Sequence, residues 1–457
     1  MQEKYSDIII IGAGPAGMVA AMGSAMTYID KSVTVIRENE KLLVPCGIPY
    51  IFGKTLGSIQ KDEIECGGHN PLVEKINRVV ASVKRVDIEN KTLYTDDSVY
   101  TFDKLIFATG STPFVHKNFE NALNLPNVFT IDKNFDHLAH LKKTIDENRK
   151  IIVVGTGFIG VEVACEIASI NKEVSIVGGG HILAGSFDKD MTMEAEELMK
   201  DLGINLVLGQ HAQEVIHENS RAKGIKLCDG TVIEADVIIL ATGYKPNTSL
   251  AKEAGLKLAR YGGIWVDEYM RTRNKDIFAI GDCSGRRDFI TRDPSKVMLA
   301  STSSAEARVA VSSLYKVSVL KGFNGTIAIF STMIKDRVFA SAGITEKEAN
   351  NQNIDIVTGY FEGLNRHPGT IPDTAKQSVK LVVMRNSGRI IGGQVVGAKE
   401  AGEMINIIGL AIEAELTVYS LISLQVATQP LLTAAPTNYP IVQAASVAFA
   451  NSQENKR

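Results

Sequence analysis

The chain has 457 residues, a formal net charge of −3 and a hydrophobic content of 45%. This length predicts about two to four domains, and the composition is typical of a globular protein with ample core-forming material. The balanced charge argues against a protein that binds nucleic acid or another polyanion. No stretch near the polar residues 1–5 is typical of a secretory signal, so we expect a cytoplasmic protein.

The first predicted element is an apolar strand at 7–11, which leads into a glycine-rich loop and a helix of small residues. A second strand at 33–36 completes a βαβ unit. Glycines in such a loop permit a tight turn and let a pyrophosphate approach the helix N-terminus. The predicted dinucleotide-binding residues of this loop are Gly12, Gly14, Pro15, Ala16 and Gly17.

An acidic residue after the second strand of such a unit normally binds ribose hydroxyls. Glu38 is the candidate here, although Arg37 takes the position where the acid is expected.

Cys46 follows this unit, in the sequence LLVPCGIPY at 42–50. If Cys46 opens a helix, the helix dipole lowers the pKa of its thiol and makes it a nucleophile near neutral pH. The five cysteines are odd in number and scattered without a CxxC pair, which argues against a disulfide scaffold and against a metal site. The other four are expected to be small buried residues: Cys66, Cys165, Cys228 and Cys283.

The pattern of the first unit then repeats. A strand at 151–154 leads into the loop GTGFIG and a second small-residue helix, and a strand follows at 174–177. Each unit ends in a similar signature, at 105–110 and at 238–243. Two such units predict two dinucleotide sites. The residues expected at these sites, beyond those of the first loop, are Ala108, Thr109, Gly110, Gly155, Gly157, Phe158, Ile159, Gly160 and Gly243.

The second unit carries neither an acid nor an arginine after its second strand, which ends at Gly178. The choice between NADH and NADPH therefore stays open. Asp282 follows a third apolar strand, at a position where its carboxylate could accept hydrogen bonds from the ribityl hydroxyls of FAD.

The last part of the chain alternates β-branched runs at 326–330, 379–383 and 390–396 with helical stretches, which predicts an α+β domain. The apolar segment 404–424 carries Glu413 and Glu415, so an amphipathic or buried helix is favoured over a membrane span. The predicted fold is α/β, with two Rossmann-like domains and this third domain packed closely together.

In combination these motifs resemble the pyridine nucleotide–disulfide oxidoreductases, in particular their single-cysteine branch. That branch holds coenzyme A disulfide reductases, persulfide reductases, NADH oxidases and NADH peroxidases. The resemblance runs from Gly12 to the sequence ASAGITE at 340–346. It implies an FAD domain at 1–115 and 246–322, an NAD(P) domain at 116–245, and a dimerisation domain at 323–457.

The resemblance implies FAD and NADH or NADPH as cofactors and Cys46 as the sole redox thiol. The two-cysteine branch has its second cysteine at the fifth position after the first, and here that position is Ile51. Phe158 matches an aromatic gate over the nicotinamide side of the flavin, and Glu162 matches a glutamate near that pocket. The resemblance also implies a homodimer with a shared active site, in which Tyr439 or Tyr360 could protonate a leaving thiolate.

Three positions depart from the family pattern. Pro15 stands where oxidases and peroxidases of the branch carry a histidine, and Gln429 replaces the histidine of a His-Pro pair found in many relatives. The stretch 22–28 has no arginine to clamp the phosphates of coenzyme A. Arg366, in the sequence RHPG at 366–369, could still contribute charge from the third domain, although a solvated loop is the favoured interpretation.

The leading hypothesis is therefore an NAD(P)H-dependent reductase of a small disulfide, persulfide or polysulfide. One alternative is an NADH oxidase that reduces oxygen through a Cys46 sulfenate. Another is an electron-transfer flavoprotein that passes electrons to a protein acceptor without using the thiol. No membrane or nucleic-acid partner is expected.

Overall fold

The structure is a computed structural model that describes residues 1–64, 74–317 and 322–454. Cys66 lies outside the described residues. Helices and strands are numbered here in chain order.

The first sheet is built around the strand that precedes the first glycine loop. Its strands run in the order β3–β2–β1–β6–β5–β4, with β18 beside β6. They are β1 (Gln2–Ile11), β2 (Val33–Arg37), β3 (Ile76–Val80), β4 (Arg85–Asp87), β5 (Thr92–Tyr94), β6 (Ser98–Phe107) and β18 (Ile277–Ala279). Because β18 comes from far downstream and pairs parallel with β6, this sheet is assembled from two separate parts of the chain.

The second sheet repeats the parallel arrangement. Its order is β11–β10–β9–β15–β8, and its strands are β8 (Val128–Thr130), β9 (Lys150–Val154), β10 (Glu173–Gly178), β11 (Asn205–Leu208) and β15 (Val237–Leu240). Smaller sheets are formed by β12 (Ala212–Glu218), β13 (Arg221–Leu227) and β14 (Val232–Glu234), by β7 (Ser111–Pro113) with β16 (Tyr244–Pro246), and by β17 (Ile264–Trp265) with β19 (Ser284–Gly285).

The C-terminal sheet is antiparallel, in the order β20–β21–β24–β23–β22. Its strands are β20 (Phe330–Ile334), β21 (Arg337–Gly343), β22 (Ile356–Leu364), β23 (Lys376–Met384) and β24 (Ile390–Gly397). The predictions at 379–383 and 390–396 are confirmed. The strand predicted at 326–330 is wrong except for Phe330, because Thr326 pairs with the loop at Asp288 and Ala328 adopts a φ of 59° that interrupts extended backbone.

The described helices are α1 (Pro15–Thr27), α2 (Lys117–Glu120), α3 (Phe135–Glu147), α4 (Phe158–Ser169), α5 (Met193–Asp201), α6 (Ser249–Glu253), α7 (Ala300–Val311), α8 (Glu346–Asn351), α9 (Ala401–Glu413), α10 (Val418–Ile422) and α11 (Pro440–Glu454). Short 3₁₀ helices include Ile48–Phe52, Ile59–Asp62 and Gly281–Cys283. The segment 404–424 is helical as expected, but Glu415, with a φ of 56°, separates it into α9 and α10. In the described parts of the chain, no helix is long and apolar enough to cross a membrane.

Both faces of the first sheet are covered. Ile8 and Ile10 pack with alanines of α1 and α7, whereas Ile9 and Ile11 pack into a second cluster with Phe102. A parallel strand buried on both faces has a continuous apolar sequence, and this is the sequence of the last four residues of β1, at 8–11. Its carboxyl end therefore delivers the glycine loop to the edge of the sheet where ligands bind in such folds.

Candidate active site

The two glycine loops have nearly the same geometry. Gly12 has a φ of 109°, and a Cβ added there would lie 2.1 Å from the carbonyl oxygen of Ala108; Gly155 has a φ of 126°, and its added Cβ would lie 2.2 Å from the carbonyl oxygen of Ala241. At Gly17 and at Gly160, an added Cβ would lie 2.0 Å from a carbonyl oxygen of the same loop. These positions require glycine because the helix approaches the strand closely.

Gly14 and Gly157 differ from the other loop glycines because open space surrounds them, with nothing within 4 Å of an added Cβ. They are the N-cap residues of α1 and α4, and neither helix has a side-chain cap. The first N–H groups of a helix have no partner within the helix. The loops therefore fit a pyrophosphate at each helix N-terminus, as FAD and NAD(P)H require.

Each of the two similar signatures ends in the sequence ATG, at 108–110 and at 241–243. Each is hydrogen-bonded at a point where the chain crosses between the two Rossmann-like parts. Thr109 Oγ1 donates a hydrogen bond of 2.6 Å to the carbonyl of Asn247, and Thr242 Oγ1 donates one of 2.6 Å to the carbonyl of Phe114. Gly110 and Gly243 have φ values of 69° and 102°, so they turn the chain where these crossings begin. The repeated signature therefore positions the two loops relative to each other.

A cavity of about 840 Å³ lies between the two loops and the start of β20. It has the size of a cofactor or ligand site. The polar, aromatic and thiol side chains that line it include Cys46, Tyr50, Ser111, Lys133, Phe158, Glu162, Tyr244 and Asp282. The loop residues Pro15, Gly155, Gly157, Ile159, Gly160 and Gly243 line it as well.

Cys46 is exposed to this cavity, which agrees with the prediction of an accessible thiol. The expectation that a helix would lower its pKa is wrong for this chain. The helix that follows is a five-residue 3₁₀ helix, Ile48–Phe52, with Gly47 as its N-cap, so Cys46 stands outside it. Burial at the cavity wall and the nearby carboxylate of Glu162 raise the pKa of the Cys46 thiol, while Lys133 opposes them.

Glu162 and Phe158 lie four positions apart on α4 and therefore share one face of that helix. Glu162 Oε1 accepts a hydrogen bond of 2.8 Å from Thr332 Oγ1, and burial raises the pKa of Glu162 to about 7. The ring of Phe158 stacks on Phe330 with centroids 4.7 Å apart. Burial and the charge of Glu162 also raise the pKa of Tyr50.

Asp282 is another charged residue of the cavity wall. Its carboxylate accepts a hydrogen bond of 2.8 Å from Ser111 Oγ and lies 3.3 Å from Lys133 Nζ. Behind it, the buried carboxylate of Glu306 accepts a 2.7 Å hydrogen bond from the backbone N–H of Gly281. Sequence reasoning missed Lys133, and no local motif marks it because only the fold brings it to the cavity.

The end of β10 is the place in the second unit where an acid that binds a ribose is expected, and it has no room for a side chain. A Cβ at Gly178 would lie 2.6 Å from Thr156 Cγ2, and one at Gly179 would lie 2.1 Å from His211 Cε1. The missing acid therefore has a steric reason, and the imidazole of His211 occupies the place of the absent side chain. In the first unit Glu38 is exposed just beyond β2, where it was expected, and its role stays a prediction.

The proposed proton donors lie elsewhere in this chain. Tyr439 is 8% exposed and packs in the core of the C-terminal domain, and burial raises its pKa. Tyr360 is exposed, and its hydroxyl lies 3.3 Å from Ser378 Oγ. Neither side chain lines the cavity of its own chain. Arg366 is paired with Glu400 at 2.9 Å, which leaves less of its charge for a ligand.

The remaining cysteines differ in their surroundings. Cys283 is buried, with its Sγ 3.2 Å from the carbonyl of Ile280, and Cys165 is half-buried on α4. The expectation of burial is wrong for Cys228, which is exposed because it begins the turn between β13 and β14. Within the described residues, no cluster of three or more histidine, cysteine or acidic side chains could hold a metal ion.

Comparisons with known proteins agree with this geometry. Residues 6–307 match the family described as pyridine nucleotide-disulphide oxidoreductase, and residues 329–439 match its dimerisation domain. The chain belongs to the pyridine nucleotide-disulphide oxidoreductase family. Its cofactors are accordingly FAD and NADH or NADPH.

Several characterised relatives span nearly the same length. The chain is 31% identical over 407 residues to an NAD(P)H coenzyme A polysulfide/persulfide reductase of Pyrococcus horikoshii, with 87% of this chain and 88% of the relative covered. It is 26% identical to an NADH oxidase of Enterococcus faecalis, with 91% and 93% covered. The solved structure of an NAD-dependent persulfide reductase from A. fulgidus is 27% identical, with a TM-score of 0.88 over 98% of this chain and 84% of that one.

Proposed function

We propose that this enzyme reduces a small disulfide, persulfide or polysulfide with electrons from NADH or NADPH, and that Cys46 is its redox thiol. The observation that carries the proposal is the position of Cys46 on the wall of the cavity between the two dinucleotide loops, on which Phe158 and Glu162 also lie. The names of the relatives support a sulfur substrate.

Each glycine loop would bind one of the two cofactors. Gly12, Gly14 and Gly17 with Asp282 would hold FAD, and Gly155, Gly157 and Gly160 would hold NAD(P)H. FAD supplies a two-electron path from the nicotinamide to the thiol. The domain division at 1–115 with 246–322, 116–245 and 323–457 follows from this assignment, and the membership of the strands in the three large sheets supports it.

Cys46 carries the sulfur chemistry. Its thiolate attacks one sulfur of the substrate, a mixed disulfide forms, and the other sulfur leaves as a thiolate that takes up a proton. Two electrons derived from NAD(P)H and one proton then cleave the mixed disulfide, which restores the Cys46 thiolate and releases the second half of the substrate as a thiol. Glu162, with its pKa raised to about 7, can hold a proton beside Cys46 at neutral pH.

The dimerisation domain supports a homodimer, and we include a shared active site in the proposal. In that arrangement Tyr360 or Tyr439 of one subunit would protonate the leaving thiolate in the other. A coenzyme A substrate is not part of the proposal, because α1 has no basic residue in its last turn.

The test is an anaerobic NADH titration and a polysulfide reduction assay on the wild type, Cys46→Ser and the control Cys228→Ser. Cys228 is exposed and does not line the cavity. We expect the Cys46 variant to lose sulfur reduction and any long-wavelength absorption band, with the control unchanged. Full sulfur reduction by Cys46→Ser would disprove the proposal.

An NADH oxidase is the second candidate, because several relatives carry that name. It predicts rapid oxygen consumption without a sulfur compound, and diversion to peroxide when Cys46 is replaced. Pro15 lines the cavity, and its side chain has no donor or acceptor with which to assist peroxide chemistry as a histidine would.

A further inference from the structure

The first strand of the C-terminal domain forms part of the cavity wall and contacts α4 at two points. Phe330 stacks on Phe158 with an interplanar angle of 13°, and Thr332 Oγ1 donates its hydrogen bond to Glu162. Both contacts occur within one chain, so they exist before any dimer forms.

The distance between the two contacts along α4 matches the distance between them along β20. Phe158 and Glu162 are four residues apart on a helix, a rise of about 6 Å. Phe330 and Thr332 are two residues apart on β20, a rise of about 6.7 Å, and alternate residues of a strand point to the same face. The strand therefore contacts the helix in a single register, in which the aromatic pair and the hydroxyl–carboxylate pair form together.

The hydroxyl of Thr332 is the hydrogen-bond donor to Glu162 in the described residues. Thr332 is 5% exposed, so water cannot readily take its place. Because a hydroxyl that donates to a carboxylate favours the ionised form, Thr332 lowers the pKa of Glu162 against the effect of burial.

The charge of Glu162 acts on the thiol. Its carboxylate raises the pKa of Cys46, together with burial, Asp62 and Asp282, while Lys133 lowers it. Tyr50 and Cys165 are the other titratable groups on which Glu162 acts. β20 itself carries none, because its sequence is FSTMI.

We propose that Thr332 is a positioning residue for the redox site: it fixes the Glu162 carboxylate and, through the charge of Glu162, sets how readily the Cys46 thiol ionises. The role in catalysis rests on the proposed function, but the effect on the thiol does not. Phe330 supports it by holding α4 and β20 in register.

The experiment is the rate of Cys46 alkylation by iodoacetamide in the FAD-loaded protein at pH 7.5. The variants are Thr332→Val, Glu162→Gln and the double variant, and thermal melting verifies that each is folded. Thr358→Val is the matched control, because Thr358 lies on β22 and, within the described residues, its hydrogen bonds involve the backbone and not the hydroxyl; its carbonyl accepts one from Asn451. Labelled Cys46 is quantified by peptide mass spectrometry, so that other thiols do not contribute.

We expect Thr332→Val to raise the alkylation rate about threefold, since a neutral Glu162 no longer disfavours the thiolate and a tenfold change corresponds to one pKa unit. In the Glu162→Gln background the same substitution should change nothing. A wild-type rate in Thr332→Val, or an equal change in both backgrounds, would overturn the inference. Alkylation needs no sulfur substrate, so sulfur reduction surviving in Cys46→Ser would refute the proposed function alone.

Discussion

At the scale of single residues, the cavity combines a thiol and a carboxyl group that each resist ionisation. Burial raises the pKa of both Cys46 and Glu162, and the charge of Glu162 further raises the pKa of Cys46. The thiolate is therefore favoured when Glu162 holds a proton. A site of this kind couples the arrival of a proton on one group to the nucleophilicity of the other.

The buried carboxyl group predicts a dependence of stability on pH. Because the pKa of Glu162 rises from 4.5 to about 7 on folding, the folded state binds a proton that the unfolded state has released in this range. The contribution of Glu162 to the stability of the wild type therefore falls as pH rises from 4.5 through 7. We expect Glu162→Gln to gain stability relative to the wild type between pH 5 and pH 8, by at most about 3 kcal/mol.

Urea unfolding of both proteins at pH 5, 6, 7 and 8 measures this difference. The gain should grow from pH 5 to pH 7 and level off above pH 7, where Glu162 is ionised in both the folded and the unfolded states. A difference that is constant across the series would show that folding does not raise the pKa of Glu162.

At the scale of elements, each glycine loop contains glycines of two kinds. Gly17 and Gly160 are needed for helix–strand contact, because an added Cβ would meet a carbonyl oxygen at 2.0 Å. Gly14 and Gly157 have open space around them and ordinary negative φ values, so the chain itself does not require glycine there. A bound pyrophosphate would require it.

Substitution of Gly14 or Gly157 should therefore weaken cofactor binding without impairing folding. We expect Gly14→Ala to keep its melting temperature as apoprotein but to lose FAD, and Gly157→Ala to retain FAD while its Kd for NAD(P)H rises at least about tenfold, or about 1.4 kcal/mol. Flavin absorbance and calorimetric titration measure the two effects.

Gly160→Ala provides the contrast, because it should lower the melting temperature before any ligand is added. Loss of stability in Gly157→Ala, or unchanged cofactor binding in both open-space variants, would contradict this division of the glycines.

At the scale of the whole molecule, a charged cluster centred on the buried pair Lys380 and Asp188 connects the second Rossmann-like part to the C-terminal domain. Lys380 of β23 is 4% exposed and lies 2.7 Å from Glu346, 2.9 Å from Asp190 and 3.3 Å from Asp188. Gln394 of β24 donates a 2.6 Å hydrogen bond to the same Asp188. Asp188 and Asp190 follow β10, so the cluster fixes the nucleotide-binding part on the domain that carries β20.

Removal of the cation should leave buried negative charge without compensation. We expect Lys380→Met to reduce the free energy of unfolding by about 3–5 kcal/mol, as is typical when one partner of a buried ion pair is lost. Lys376→Met is the matched control on the same strand, because Lys376 is exposed and its pair with Glu362 should contribute at most about 1 kcal/mol. Similar losses in the two variants, measured by urea unfolding, would rule out a special role for the cluster.

The sequence by itself determined the two βαβ units and the glycine loops, and it identified Cys46 as the candidate redox thiol. These features depend on local backbone geometry: the strands end in apolar runs, and four of the loop glycines occupy conformations or close contacts that other residues cannot adopt, namely Gly12, Gly17, Gly155 and Gly160. The last two strands predicted in the C-terminal domain were correct for the same reason, since their β-branched runs are buried.

Only the tertiary structure decided the electrostatics of the site and its remaining walls. Lys133 and Phe330 reach the cavity from distant parts of the chain, and Thr332 reaches Glu162 in its wall. No spacing in the sequence reveals such contacts. The predicted fall in the pKa of Cys46 was wrong because the following helix is too short and the surrounding burial, together with Glu162, outweighs it. A local motif can identify a candidate redox residue, but burial and charge from other elements set its ionisation.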